Sequence, residues 1–278
     1  MPGMSCRPEK ENLKMKKFEL PRRDSGRATM PMSLPYEIHP DSAEAAVLGI
    51  HGYTGGPADY KYLAGRLADV GLGVSVPRLP GAGTDMDDLS NTNRGDWMRR
   101  VYDAWLDLKA RYERVHILGY SMGGLLALEL ALQVKAEKTV LLAPALFTSH
   151  KMMPFLPLLR PLAGILPEVK TGWEPEEEDS AEMKEHGRRY WARRDIRSAA
   201  QMALLQGEVI RHLSQVKTPV MAVVSTGDQT VPVEVLELLD RKIPGGLSGK
   251  LTVNNCEHNI PQGPDREKVA ESVIAWLK

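Results

Sequence analysis

VHILGYSMGGLLALELAL, residues 115–132, decides the fold. VHILGY at 115–120 is a continuous apolar run, which is typical of a strand buried on both faces. From Met122 to Leu132 the chain is apolar nearly all round, which predicts an enclosed helix. The pentapeptide Gly119-Tyr120-Ser121-Met122-Gly123 spans the junction. Such a G-x-S-x-G turn between a buried strand and a buried helix projects the serine hydroxyl out of the sheet.

An alternation of strands and helices continues outward from this junction. Upstream, strands are predicted at AAVLGI (45–50) and LGVSVP (72–77), each followed by an amphipathic helix. Downstream, strands are predicted at TVLLAPA (139–145), VMAVVS (220–225) and near 251–254, with a final helix behind them. Repeated βα units imply an α/β fold in which helices cover both faces of a mainly parallel sheet.

The alternation is interrupted once, between residues 147 and 215. This block holds an apolar, Pro-rich segment, MMPFLPLLRPLAGILP (152–167), and a charged run. We interpret 147–215 as a cap or lid inserted into a core made of residues 34–146 and 216–278. Residues 1–33 are polar and contain several prolines and methionines, and they are predicted to form a mobile N-terminal extension.

Charge and cysteine content exclude several classes of protein. The 278 residues carry 36 basic and 36 acidic side chains. This balance predicts no nucleic-acid partner. Two cysteines, Cys6 and Cys256, do not suggest a disulfide framework and suit a reducing compartment. No signal peptide is evident, and 152–167 is too short to span a bilayer. We predict a cytoplasmic protein with no integral membrane segment, and its oligomeric state stays open.

Three polar side chains each follow the end of a predicted strand and form a candidate catalytic set. Ser121 follows the strand at 115–120, Asp228 follows the strand at 220–225, and His258 follows the strand near 251–254. This order of nucleophile, acid and base is the one used by the α/β-hydrolase fold. A histidine in this set takes the serine proton, and the aspartate orients the imidazole and stabilises its charged form.

A second Gly-rich turn, HGYTGGP at 51–57, follows the strand at 45–50. Acyl transfer needs two donors aimed at the developing oxyanion. The amide of Met122, just after the serine, is one candidate, and the amide of Tyr53 is the other. The alternative interpretation of this motif is an ordinary Gly-rich turn that opens a helix.

These motifs together resemble a known family. HGYTGGP, LPGAGTD, GYSMGG, GDQTVP and CEHNI are similar to the motifs of the bacterial carboxylesterase and monoacylglycerol-lipase branch of the α/β-hydrolase superfamily. The resemblance implies a serine esterase that hydrolyses short- to medium-chain acyl esters or monoacylglycerols without a cofactor. It also assigns the catalytic roles to Ser121, Asp228 and His258 and the oxyanion roles to Tyr53 and Met122.

Other reactions on the same fold stay open from the residues alone. They are thioester hydrolysis, peptide hydrolysis by an aminopeptidase, carbon–carbon bond hydrolysis and cofactor-free perhydrolysis. A non-catalytic binding protein on this fold is a further alternative, although such a protein would not need all three polar side chains. The histidines show no metal-ligand spacing, so no metal site is predicted.

The apolar segment at 152–167 is the candidate substrate-binding region. It leaves the core at the same sheet edge as the catalytic side chains, so we expect it to roof the site. Phe155 and Leu159 are predicted to form an acyl-binding wall, because an apolar, Met-containing block adapts to irregular ligands. Two alternatives are packing of this segment on the core and docking to a membrane surface.

Overall fold

A computed structural model of the protein describes residues 29–162, 169–177 and 179–278. Most of the predicted mobile extension, residues 1–28, lies outside these ranges. Its last five residues are packed against the core, because Met30 and Ser33 are buried and the Met30 amide donates to the carbonyl of Gly83 at 2.8 Å. The chain is therefore in contact with the core from Met30 onward.

The core is a seven-stranded sheet, and a separate two-stranded sheet lies in the predicted insertion. In chain order the strands are β1 Tyr36–Ile38, β2 Ala45–Ile50, β3 Gly73–Val76, β4 Arg114–Tyr120, β5 Thr139–Leu142, β6 Val169–Lys170, β7 Arg193–Arg194, β8 Val220–Ser225 and β9 Gly249–Val253. The main sheet has the order β1-β3-β2-β4-β5-β8-β9, and only β1 is antiparallel to its neighbour. The predicted mainly parallel sheet is confirmed.

Helices cover this sheet and build most of the insertion. They are α1 Lys61–Asp69, α2 Met86–Ser90, α3 Arg94–Lys109, α4 Met122–Gln133, α5 Leu156–Leu159, α6 Ala181–Tyr190, α7 Ile196–His212, α8 Val235–Lys242 and α9 Arg266–Leu277. Of the residues described, none forms a helix with both the length and the apolarity needed to cross a membrane.

Burial explains why the central strands are apolar throughout. Every residue of β2, β5 and β8 is buried, as expected for parallel strands covered on both faces. β5 ends at Leu142, earlier than the predicted residue 145, because Ala143 adopts a positive φ of 42° that ends the extended conformation. β1 was not predicted, since it is a three-residue edge strand with no fully buried position.

The block at 147–215 contains structure of its own between β5 and β8. Its described part includes α5, α6, α7 and the antiparallel pair β6–β7. α5 packs on α7, and α7 packs on α4, the helix that begins directly after Ser121. The insertion is thus joined to the core next to the predicted nucleophile.

A buried histidine in β4 makes the stability depend on pH. The imidazole of His116 is 4% exposed, and its Nδ1 has no hydrogen-bond partner among the described residues. Burial, with help from Lys138 and Arg114, lowers its pKa from 6.5 to about 4. Between these two values the unfolded chain binds more protons than the folded one, so stability falls as the pH falls.

Substitution His116→Leu is expected to weaken this pH dependence. Relative to the parent, the variant should lose about 2 kcal/mol less of its free energy of unfolding between pH 7 and pH 5. Urea denaturation of both proteins at the two pH values measures the difference. Equal losses in parent and variant would mean that protonation of His116 does not contribute.

Candidate active site

The strand-to-helix turn at Ser121 has the conformation expected of a nucleophile turn. Ser121 precedes α4 with φ 55° and ψ −117°, a strained backbone for a residue with a side chain. Glycine is required on both sides, because a β-carbon on Gly119 would lie 2.2 Å from the carbonyl oxygen of Gly123. A β-carbon on Gly123 would lie 1.9 Å from the carbonyl oxygen of Ile50. The turn is therefore built from close backbone contacts that only glycine permits.

The structure brings the three predicted catalytic side chains into one hydrogen-bonded chain. Nε2 of His258 lies 2.9 Å from Oγ of Ser121, and Nδ1 of His258 lies 2.8 Å from Oδ2 of Asp228. Ser121 is 6% exposed, while the side chain of His258 is 26% exposed and that of Asp228 is fully buried. The imidazole is therefore partly open to solvent, the serine is almost completely buried, and the carboxylate is enclosed behind them.

Asp228 is held as an ionised acceptor by three N–H groups. Its Oδ2 faces His258, and its Oδ1 accepts from the amides of Thr230 at 2.8 Å and Val231 at 2.9 Å. Burial alone would raise the pKa of Asp228, but the hydrogen bond and charge of His258, together with the two amides, outweigh burial and lower it. The carboxylate therefore has one oxygen fixed toward the backbone and one free to orient the imidazole.

The Gly-rich turn after β2 lies against the nucleophile. A β-carbon on Gly52 would be 3.2 Å from Cβ of Ser121, so the backbone before Tyr53 directly contacts the serine. Met122 is the first residue of α4, and the amides of a first helical turn have no acceptor within the helix. The turn and the helix start thus border the serine from two sides, which is the arrangement that an oxyanion site needs.

His51 fastens this turn to the loop after β3. Its Nδ1 lies 3.0 Å from the carbonyl oxygen of Gly52, and its Nε2 accepts from the amide of Leu79 at 3.1 Å. Burial lowers the pKa of His51 to about 4, so the ring is neutral at neutral pH and can accept one hydrogen bond while donating the other. His51 is thus a structural neighbour of the site.

Sequence reasoning did not single out Asp59, which lies near the catalytic set. Its Oδ2 accepts from the amide of Gly56 at 3.2 Å, and it is close enough to His258 for electrostatic attraction. Burial raises the pKa of Asp59 to about 6, and the other two interactions oppose this rise. The sequence did contain a signal for Asp59, which follows the motif at 51–57. An acidic residue three positions after the residue that precedes a helix commonly accepts from that residue's amide.

Phe155 and Leu159, the predicted acyl wall, lie in different environments. Phe155 is 54% exposed, and its neighbours Met152 and Leu158 are 58% and 75% exposed. Phe155 is thus open to solvent, and its contact with an acyl chain stays a prediction. Leu159 is half-buried in α5, which packs on α7. Residues 163–167 of the predicted roof lie outside the described ranges.

Cys256 is a packed residue two positions before the catalytic histidine. It is free and fully buried, and its Sγ accepts from the amide of Asp265 at 3.3 Å. Burial raises the pKa of this thiol, which disfavours the nucleophilic thiolate. Within the part of the chain that the structure describes, no group of three His, Cys, Asp or Glu side chains has the geometry to hold a metal ion.

The chain belongs to the alpha/beta hydrolase family, whose pattern matches residues 47–272. The family resemblance and the predicted fold are thereby confirmed. One relative is the thermostable monoacylglycerol lipase of Bacillus sp. (strain H-257), 37% identical over 94 residues that cover 34% of this chain and 38% of the lipase. Another is the carboxylesterase of Bacillus subtilis (strain 168), 23% identical over 237 residues that cover 84% of this chain and 93% of that enzyme. Carboxylesterases and lipases of this family are serine hydrolases.

Solved structures share the fold at lower sequence identity. A structure from the metagenome-derived lipolytic enzymes LipS and LipT has a TM-score of 0.76 and 22% identity, covering 90% of this chain and 99% of that one. The monoacylglycerol lipase of Paleococcus ferrophilus has a TM-score of 0.67 and 20% identity, covering 87% and 97% of the two chains. This chain therefore shares its fold with these solved structures.

Proposed function

We propose that this protein is a serine carboxylic ester hydrolase that acts on short- to medium-chain acyl esters or monoacylglycerols through an acyl-enzyme on Ser121. The observation that carries the proposal is the continuous chain from Oγ of Ser121 through His258 to Asp228, at 2.9 and 2.8 Å. A nucleophile within hydrogen-bond reach of a base, itself oriented by a carboxylate, is the arrangement that acyl transfer requires.

Each catalytic group has one task in the proposed reaction. His258 accepts the proton of Ser121 as Oγ attacks the ester carbonyl, and the amides of Tyr53 and Met122 stabilise the negative oxygen of the tetrahedral intermediate. His258 then returns the proton to the leaving alcohol, and a bond between Oγ and the acyl carbon remains. Water repeats the sequence and releases the carboxylic acid. Asp228 keeps the imidazole in the correct tautomer throughout.

The proposed substrate class is supported by the relatives and by the balanced net charge of the chain. The two relatives described above carry the names of ester-cleaving enzymes, a monoacylglycerol lipase and a carboxylesterase. The balanced charge favours an uncharged small-molecule ester over a polyanionic partner. We further propose that the protein acts in the cytoplasm. Thioesterase, aminopeptidase and perhydrolase activities are outcomes of the test below, as is a non-catalytic binding role.

Labelling with a fluorophosphonate probe tests the proposal directly. A competent serine forms a covalent adduct, and peptide mapping should find it on Ser121 alone, since the nucleophile must be activated by an adjacent base. Turnover of p-nitrophenyl esters, compared with matched thioesters and amino-acid amides, then identifies the bond that is cleaved. No label on Ser121 would exclude a serine hydrolase, and faster thioester or amide turnover would replace the ester assignment.

Leu159→Ala is expected to shift the preferred acyl chain toward longer esters. Each buried methylene contributes about 0.8 kcal/mol, so kcat/KM should rise with chain length until the pocket is filled, and a smaller side chain moves that limit outward. A series of esters from C2 to C16 measures the optimum. Phe155→Ala, on the exposed side of the same segment, is measured in the same series, and a smaller shift is expected because Phe155 is 54% exposed. An unchanged optimum in Leu159→Ala would place the acyl wall elsewhere, with α6 and α7 the next region to test.

A further inference from the structure

The insertion is hydrogen-bonded to two consecutive residues of the turn that borders the nucleophile. Helix α6 contacts the backbone of Thr54, and helix α7 contacts the side chain of Tyr53. The structure assigns His186 and Ser198, one on each helix, to a positioning role: they fix the turn that presents the Tyr53 amide to the oxyanion. This inference rests on the proposed function, because it gives the insertion a task in the same reaction.

The turn needs an external support because its conformation is unfavourable. Thr54 adopts φ 55°. A β-branched residue rarely occupies this left-handed region, so local preference would rotate the Tyr53–Thr54 peptide out of the observed orientation. The carbonyl of Thr54 accepts a hydrogen bond from Nε2 of His186 at 2.7 Å. The hydrogen bond from His186 is therefore made to the strained residue, Thr54, which directly follows Tyr53 and its proposed oxyanion amide.

The geometry around His186 allows only one arrangement of its protons. The Thr54 carbonyl is an acceptor, so Nε2 must carry the hydrogen. Nδ1 is buried and has no partner among the described residues, and burial lowers the pKa of the ring, so the neutral form with Nε2–H is favoured. The rings of Tyr190 and Trp191 each lie 5.0 Å from the imidazole and hold its orientation. His186 is thus a fixed single donor.

The second contact is a row of hydrogen bonds from the Tyr53 hydroxyl through the Ser198 hydroxyl to the carboxylate of Asp195. Oγ of Ser198 donates to Oδ2 of Asp195 at 2.9 Å, and the Ser198 amide donates to the same oxygen at 2.7 Å. The Ser198 hydroxyl already donates its one hydrogen to the carboxylate. Toward the Tyr53 hydroxyl, 2.6 Å away, it can therefore act only as an acceptor. Asp195 caps the start of α7. The Tyr53 side chain is therefore tied to a helix end whose position is fixed.

Two hydrogen bonds from different helices hold consecutive residues of the turn. The side chain of Tyr53 is held through Ser198, and the carbonyl of Thr54 is held through His186. The Tyr53 amide belongs to the Gly52–Tyr53 peptide, directly before these two held groups. An oxyanion donor is effective only at hydrogen-bond distance from the oxygen in the transition state, so a small rotation of the Gly52–Tyr53 peptide reduces catalysis without abolishing substrate binding. The predicted signature is a loss in kcat with little change in KM.

Variants that remove either hydrogen bond, His186 to Thr54 or Tyr53 to Ser198, test the inference by steady-state kinetics with a p-nitrophenyl ester. His186→Leu and Tyr53→Phe should each lower kcat by about tenfold, less than the hundredfold or more that follows complete loss of an oxyanion donor. KM should change by less than about twofold. His186→Gln should recover most of the activity, because its carboxamide N–H can reach the Thr54 carbonyl. The Ki of a trifluoromethyl ketone, whose adduct occupies the oxyanion site, should rise by the same factor as kcat/KM falls.

Tyr190→Phe is the matched control. The hydroxyl of Tyr190 also joins α6 to the core, since it donates to the carbonyl of Gly81 at 2.7 Å and accepts from the amide of Thr84 at 2.7 Å. Phenylalanine keeps the ring beside His186 and removes only the hydroxyl, which contacts a different loop, so the variant should have a lower melting temperature and an unchanged kcat. An equal loss of kcat in Tyr190→Phe and Tyr53→Phe would mean that any loosening of the insertion slows the enzyme, and would overturn the specific role.

Hydrogen exchange of the amides at 52–56 provides a readout that needs no turnover. Exchange there should be faster in His186→Leu and Ser198→Ala than in the parent, and unchanged in Tyr190→Phe. Unchanged exchange in both His186→Leu and Ser198→Ala would overturn the inference even if the enzyme is an active esterase. If instead the parent hydrolyses no ester and binds no ketone, the proposed function fails, and the exchange rates alone decide whether the insertion holds the turn.

Discussion

Ser121→Ala is expected to reduce ester turnover by at least about ten-thousand-fold while leaving the fold intact. The hydroxyl is the attacking group, and loss of the nucleophile in a serine–histidine–aspartate set costs several powers of ten in kcat. Alanine keeps the β-carbon, so it can occupy the same φ of 55° and the same contact with Gly52. The variant should lose the hydrogen bond to His258, which changes stability by about 1 kcal/mol.

Kinetics and thermal denaturation of purified Ser121→Ala measure the two effects separately. Ser90→Ala is a matched control, because Ser90 is also a buried serine but donates to the carbonyl of Met86 within α2. It should retain parental kcat, and a fluorophosphonate should label it as it labels the parent. A folded Ser121→Ala protein with near-normal turnover would remove the serine from the mechanism, and the search for the nucleophile would begin again.

Asp228→Asn is expected to lower kcat by about ten-thousand-fold, the scale seen when a triad aspartate is made neutral. The amides of Thr230 and Val231 would hold the carboxamide oxygen of the new residue, because they already donate to Oδ1. The NH₂ group would then face Nδ1 of His258 and donate to it. This arrangement moves the ring proton to Nε2, where it opposes the proton of Ser121, so the imidazole can no longer act as base.

Glu257→Gln separates the role of Asp228 from a general effect of charge. Glu257 is adjacent to the catalytic histidine in sequence, but its side chain is exposed, while Nδ1 of His258 bonds to Asp228. The control should keep kcat within about twofold of the parent, as expected for an exposed position. Measurements of kcat at several pH values for both variants complete the test. A larger loss in Glu257→Gln than in Asp228→Asn would mean that the orienting carboxylate is Glu257.

Much of the core was predictable because the information lies in neighbouring residues. A strand buried on both faces must be apolar at every position, and this requirement is visible in AAVLGI and VMAVVS without knowledge of their partners. The turn at Ser121 was predictable for a similar reason, since close backbone contacts admit only glycine at 119 and 123. β1 was missed because a short edge strand has no such constraint.

The proximity of Ser121, Asp228 and His258 was also predictable, but the distances between them were not. Parallel strands end at one edge of a sheet, so residues placed just after β4, β8 and β9 must come near one another. Whether Ser121 and His258, which are 137 residues apart, reach hydrogen-bond distance depends on how the loops fold over that edge. The hydrogen bonds that join Ser121, His258 and Asp228 therefore form only when the loops have folded over this edge.

The insertion shows which properties could be predicted from local composition and which depend on how the helices dock. Its apolar composition indicated a cover for the site, because local hydrophobicity is a property of the segment itself. Composition does not state which side faces inward, and Phe155 faces solvent. The contacts of His186 with Thr54 and of Ser198 with Tyr53 join residues 132 and 145 positions apart. Docking of whole helices creates such pairs, and no local pattern encodes them, since either partner alone has the composition of an ordinary helix or turn.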